Sequence, residues 1–119
     1  MTRFLVLLFA SAAVVAATAP ARADGTAKQF LQLDASDDGV SLAELKISSL
    51  EEGIRTANTT LGSNAKLYCQ PATLVLTGTQ LADMIRRAVT QNDKLEDQPL
   101  PGVLLDVLEK TFPCAAPAH

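Results

Sequence analysis

The chain has 119 residues, with 10 basic against 13 acidic side chains and a single histidine at its last position. That length supports one domain. No cluster of Lys or Arg lines up with aromatics, which excludes an electrostatic nucleic-acid binder.

The N-terminus reads MTRFLVLLFASAAVVAATAPARADG: one Arg, an apolar run from Phe4 to Ala19, then Pro20 and the small-residue triplet Ala21-Arg22-Ala23. This layout predicts a secretory signal over residues 1–23, cut after Ala23, and a domain over 24–119. A run broken at Pro20 falls short of the about 20 residues that a bilayer span needs. No second long apolar run holds the mature chain in a membrane. Losing Arg3 and Arg22 makes the exported part more acidic than the full chain.

Along the domain the periodicity is helical and no internal repeat is visible. Ala27, Phe30, Leu31 and Leu33 predict a short first helix. In SLAELKISSLEEGIRTANTTL, the apolar positions Leu42, Leu45, Leu50, Ile54, Ala57 and Leu61 recur mostly at spacings of three and four, which predicts the longest helix with these residues as its buried stripe. PATLVL is β-prone but short and unpartnered, and reads as an extended connector. A third helix spans Thr77 to Asn92, buries Leu81, Met84, Ile85, Ala88 and Val89, and opens on the capping-box spacing of Thr77 and Gln80. A fourth follows Pro101-Gly102 and buries Val103, Leu104, Val107, Leu108 and Phe112. The expected fold is all-α: a small single-domain helical bundle of four to five helices with one disulfide.

The cysteines are Cys69 and Cys114. In an oxidising compartment an even count most simply means a disulfide, while two sulfurs and one terminal His119 cannot assemble a four-ligand zinc site. A redox role needs a CxxC or a lone activated thiol. Neither is present, so a Cys69–Cys114 staple is expected.

Two connections are long and polar: NTTLGSNAK, and the acidic, proline-tipped NDKLEDQPLPG. Loops of this length exceed what helix connectivity requires and raise a binding role against that of a solvated linker. Asn58-Thr59-Thr60 is a glycosylation sequon falling at a helix end. LDASDDGVSLAEL places Asp34, Ser36, Asp38 and Gly39 as in a calcium-binding loop, but Leu45 stands where the bidentate carboxylate belongs and Glu44 is one residue early. Ser41 and Glu44 as a capping box, with Val40 and Leu45 as a hydrophobic staple, account for the same letters. No metal or cofactor is expected. Both thiols are tied up and the histidine is terminal, so no nucleophile has a base and no enzyme is expected.

The span LYCQPATLVLTGTQLADMIRRAVTQNDKLEDQPLPGVLLDVLEKTFPC resembles the C-terminal signature of the type VI secretion amidase-immunity family, the Rap/Tai group. The shared features stand here as Cys69, Pro71, Thr77, Gln80, Pro101, Phe112, Pro113 and Cys114, with LEEGIRTAN like the family's Gly-bearing second helix. Leu50 replaces an aromatic often found three residues before the helix glycine, and Asn92-Asp93 replaces a frequent histidine-proline. The resemblance implies a periplasmic inhibitor that binds a peptidoglycan amidase and, as a homodimer, blocks its cleft with a protruding loop while a helix anchors the complex. Mapped onto this chain, the loop is Asn92, Asp93, Lys94, Leu95, Glu96, Asp97 and Gln98, and the helix face is Asp83, Arg86 and Arg87. The alternative class is a periplasmic acid-stress chaperone of the HdeA type, also small, helical and pinned by one disulfide.

Overall fold

The structure, a computed structural model, describes residues 25–36 and 40–115. The segment 1–23 expected to be an export signal, the terminal His119, the candidate calcium ligand Asp38 with Gly39, and the side chains of Val40 and Ser41 lie outside the described residues. Four α-helices follow in order: α1 (Ala27–Asp34), α2 (Val40–Thr60), α3 (Gly78–Gln91) and α4 (Leu100–Thr111), with a short 3-10 turn at Asp93–Leu95. Among the described residues there is no named strand, and Cys69 is bonded to Cys114 across a Cα separation of 4.8 Å. The all-α disulfide-braced fold is therefore the one the sequence predicts.

Each short helix begins on a local device. In α1, Thr26 Oγ1 accepts the Gln29 N–H and Gln29 Oε1 accepts the Thr26 N–H at 3.0 Å, a capping box that satisfies two of the helix's orphan donors. Just before it, Gly25 adopts φ +71°, a backbone region costly for any residue with a Cβ. In α3 the expected box of Thr77 and Gln80 is present, with N–H to oxygen distances of 2.9 and 3.2 Å. Helix α4 starts at Leu100, so Pro101 and Gly102 sit inside its first turn rather than before it. Proline is tolerated there because its missing N–H would have no intrahelical partner.

The core is one cluster. Phe30 from α1, Ala43 and Ile47 from α2, Leu81, Ile85 and Val89 from α3, and Leu100, Leu104 and Leu108 from α4 pack together with Tyr68 from the connector. Each large apolar side chain so buried contributes about 1.5–3 kcal/mol, most of which offsets chain entropy. The stripes expected for α3 and α4 are the ones that face inward. Leu81, Ile85 and Val89 are buried with Met84 and Ala88 at the margin, and Val103, Leu104, Val107 and Leu108 are buried with half-buried Phe112.

Helix α2 departs from the expectation. Leu42 is 57% exposed and Leu45 64% exposed, Leu61 and Ala57 are also exposed, and only Leu50 and Ile54 of the expected stripe touch the core. The buried face instead carries Ala43, Ile47, Glu51 and Asn58, a rotation of about one residue, or 100°. Tethers on that face explain it. Near the start of α2, Glu44 Oε1 accepts the Thr79 hydroxyl at 2.6 Å. Gly78 lies so close there that an added Cβ would sit 2.9 Å from the Glu44 backbone oxygen. Near its end, Asn58 holds the connector. Helix α2 already includes Val40, so Ser41 lies inside its first turn rather than at the expected N-cap, and the Glu44 carboxylate is engaged with α3.

Candidate functional site

The loop Asn92–Gln98 is built as a pinned turn. Asn92 ends α3, and its side-chain oxygen accepts the Lys94 N–H at 3.3 Å to open the 3-10 turn. The Lys28 N–H donates to the Glu96 carbonyl at 2.9 Å, the Ala27 N–H to the Gln98 carbonyl at 3.0 Å, and the Leu100 N–H to the Gly25 carbonyl at 3.1 Å. Lys28 Nζ adds an ion pair to Glu96 at 3.5 Å. Exposed pairs of this kind contribute less than about 1 kcal/mol, so the backbone bonds set the geometry. Leu95 packs against the core, leaving Asn92, Asp93, Lys94, Asp97 and Gln98 exposed.

Leading directly into that turn, α3 carries Asp83, Arg86 and Arg87 around an open groove of about 320 Å³. Arg86 bridges two acids, Asp83 on its own helix and Asp34 Oδ2 at the end of α1 at 2.5 Å, while Arg87 Nε donates to the Asp83 carbonyl at 3.3 Å. The groove is therefore internally charge-matched. Asp34 is paired with Arg86, and the Ser36 hydroxyl donates to the Leu33 carbonyl at 2.7 Å. No group of three or more potential metal ligands occurs among the described residues.

A third location had no signal in the sequence beyond the glycosylation triplet. Asn58 is buried, and both ends of its amide are used: Nδ2 donates to the Tyr68 carbonyl at 2.8 Å and Oδ1 accepts the Leu67 N–H at 2.8 Å. An N-linked glycan would need that nitrogen, so glycosylation is incompatible with this packing. Around it, Arg55, Asn58, Lys66, Tyr68, Gln70 and Pro71 line a cleft of about 270 Å³ beside the disulfide. Behind Arg55 lies Glu51, whose Oε1 is 3.6 Å from Arg55 Nε, beyond hydrogen-bond length. Neither atom, nor the buried Tyr68 hydroxyl, has a hydrogen-bond partner among the described residues.

Burial pushes the Glu51 carboxyl above its usual value, Arg55 opposes that shift, and Glu52 adds to it. Burial likewise raises the Tyr68 phenol, helped by the neighbouring Glu51 charge and opposed by Arg55. Because the folded state holds the Glu51 proton more tightly than the unfolded state, stability is greatest below the ordinary carboxylate pKa and falls as pH rises through the raised one. Replacing Glu51 with Gln keeps the shape without the charge. The expected result is a gain in stability at pH 7 and a flatter stability profile just above pH 4.5, read by urea titration across pH.

The chain matches none of the protein-family models, curated proteins or solved structures with which it was compared. Six of the eight residues that carry the resemblance brace the fold. Cys69 and Cys114 are bonded, the Cys69 N–H donates to the Phe112 carbonyl at 2.8 Å, Thr77 and Gln80 cap α3, and Pro101 lies in the first turn of α4. They define a small disulfide-braced all-α domain, a scaffold type open to several functions.

Proposed function

We propose that the chain is an exported, non-enzymatic inhibitor that acts in the periplasm as an immunity protein, binding a peptidoglycan amidase of type VI secretion and occluding its cleft. The observation that carries this reading is the pinned acidic turn: a segment held by two backbone hydrogen bonds from Ala27 and Lys28, with Asp93 and Asp97 exposed to solvent. A contact surface fixed in advance loses little entropy on docking, which favours tight occlusion over loose association. Asp83, Arg86 and Arg87 would form the anchoring face beside it. In the homodimer that the resemblance implies, the outer face of α2 with Leu42 and Leu45 is the apolar area available for covering.

Expression in the periplasm together with the amidase encoded in the neighbouring reading frame tests the proposal. The wild-type chain should prevent lysis. Reversing Asp93 and Asp97 to Lys should weaken binding at least tenfold without lowering Tm, since neither side chain makes an ion pair among the described residues. Undiminished protection by that variant would rule out the turn as the contact. The alternative class, an acid-stress chaperone, would expose apolar surface as its carboxylates protonate, so dye binding in acid discriminates the two readings.

A further inference from the structure

Between the 3-10 turn and the first turn of α4 lies a half-open recess of about 250 Å³, lined by Leu95, Gln98, Pro99, Gly102, Val103 and Asp106. Three of these walls are apolar. Gly102 is the unusual member, since it stands in the first turn of α4, where glycine is a poorer helix former than alanine. The usual reasons for it are missing: its φ is not positive, and an added Cβ would meet nothing within 4 Å. What its lack of a side chain does is leave the recess empty.

The turn that forms one wall of the recess carries charges with one sign in excess. Asp93 and Asp97 are exposed and make no ion pair among the described residues, while Glu96 is matched by Lys28 and Asp106 by Lys110 at 2.6 Å. Lys94 is the one cation in the turn itself. An apolar hollow beside unmatched carboxylates is complementary to an apolar side chain carried between basic residues.

We propose that this recess is a specificity pocket for one leucine-sized side chain of a partner protein, presented on a segment with flanking Lys or Arg. The proposal rests on the acidic turn being the contact surface. The apolar side chain fills the space left by Gly102 against Leu95, Pro99 and Val103, and the flanking cations sit over Asp93 and Asp97. Charge brings the partner to the turn; the hollow selects which residue enters.

The test is a nuclear magnetic resonance titration of the disulfide-intact protein with acetyl-Lys-Leu-Lys-amide and acetyl-Lys-Ser-Lys-amide. The leucine peptide should shift the amides of Leu95, Gly102 and Val103 about tenfold more steeply with concentration than the serine peptide, as expected for burying one such side chain. Gly102→Leu should abolish that difference and Gly102→Ala reduce it, both with Tm unchanged or raised. Added salt should weaken both peptides together. Equal response to the two peptides, confined to Asp93 and Asp97, would overturn the pocket while leaving the turn as a contact surface. No response to either peptide would also overturn it, and protection against the amidase would then still judge the inhibitor reading separately. If Gly102→Leu protects as well as wild type, the recess is not used in that complex.

Discussion

Replacing Cys69 and Cys114 together with serine, or reducing the bond, is expected to lower the unfolding free energy by about 4 kcal/mol. The bond closes a sequence separation of 45 residues, and constraining a loop of that size removes much of the freedom of the unfolded chain. For a domain this small, such a loss should move Tm down by roughly 20 °C. The bond also has a local task. It joins the residue after Tyr68 to the segment beyond α4, where the Cys69 N–H already donates to the Phe112 carbonyl. Urea titration with and without reductant measures the effect. The midpoint should fall and the slope should rise, because a reduced unfolded chain exposes more surface. A loss below about 1 kcal/mol would mean that the helical core holds the connector unaided.

How far the fold could be read from the sequence differs from helix to helix for physical reasons. Helices α3 and α4 were legible because their apolar residues repeat cleanly and no polar residue competes for the inner face. The disulfide was legible because a chain with two cysteines admits one intramolecular pairing. The inner face of α2 was not. Two of its leucines, Leu42 and Leu45, face outward, while Glu51 and Asn58 face inward beside Ala43 and Ile47, because contacts made by residues far along the chain decide which side is covered. Hydrophobic periodicity contains no term for a carboxamide that pairs with the backbone of an irregular segment nine and ten residues later.

The candidate surface divides in the same way. Composition alone marked NDKLEDQ as acidic and longer than needed, and the structure places most of it at the surface. That its backbone would be fastened to the start of α1 could not be read, because hydrogen bonds from Lys28 and Ala27 to main-chain carbonyls leave no trace in side-chain pattern. Nor could the inward turn of Leu95, which sequence alone counted among the exposed contact residues.

Asn58→Ala should cost about 3 kcal/mol, more than a typical surface substitution by a wide margin. Alanine removes the donor to the Tyr68 carbonyl and the acceptor of the Leu67 N–H in one step, and both backbone groups belong to a segment whose Tyr68 side chain is almost wholly buried. Asn58→Asp separates the two halves of the interaction. An ionised aspartate still accepts from Leu67 but turns a negative oxygen toward the Tyr68 carbonyl, so at pH 7 it should be as damaging as alanine. Once protonated it can donate to that carbonyl. The folded state then favours the protonated acid, so stability should rise as pH falls through its raised pKa, which alanine cannot imitate. Urea midpoints at pH 7 and pH 4 for the two variants make the comparison. If alanine costs less than about 1 kcal/mol, or aspartate shows no recovery in acid, the Asn58 bridge does not hold the connector against α2 and some other contact fixes the helix's inner face.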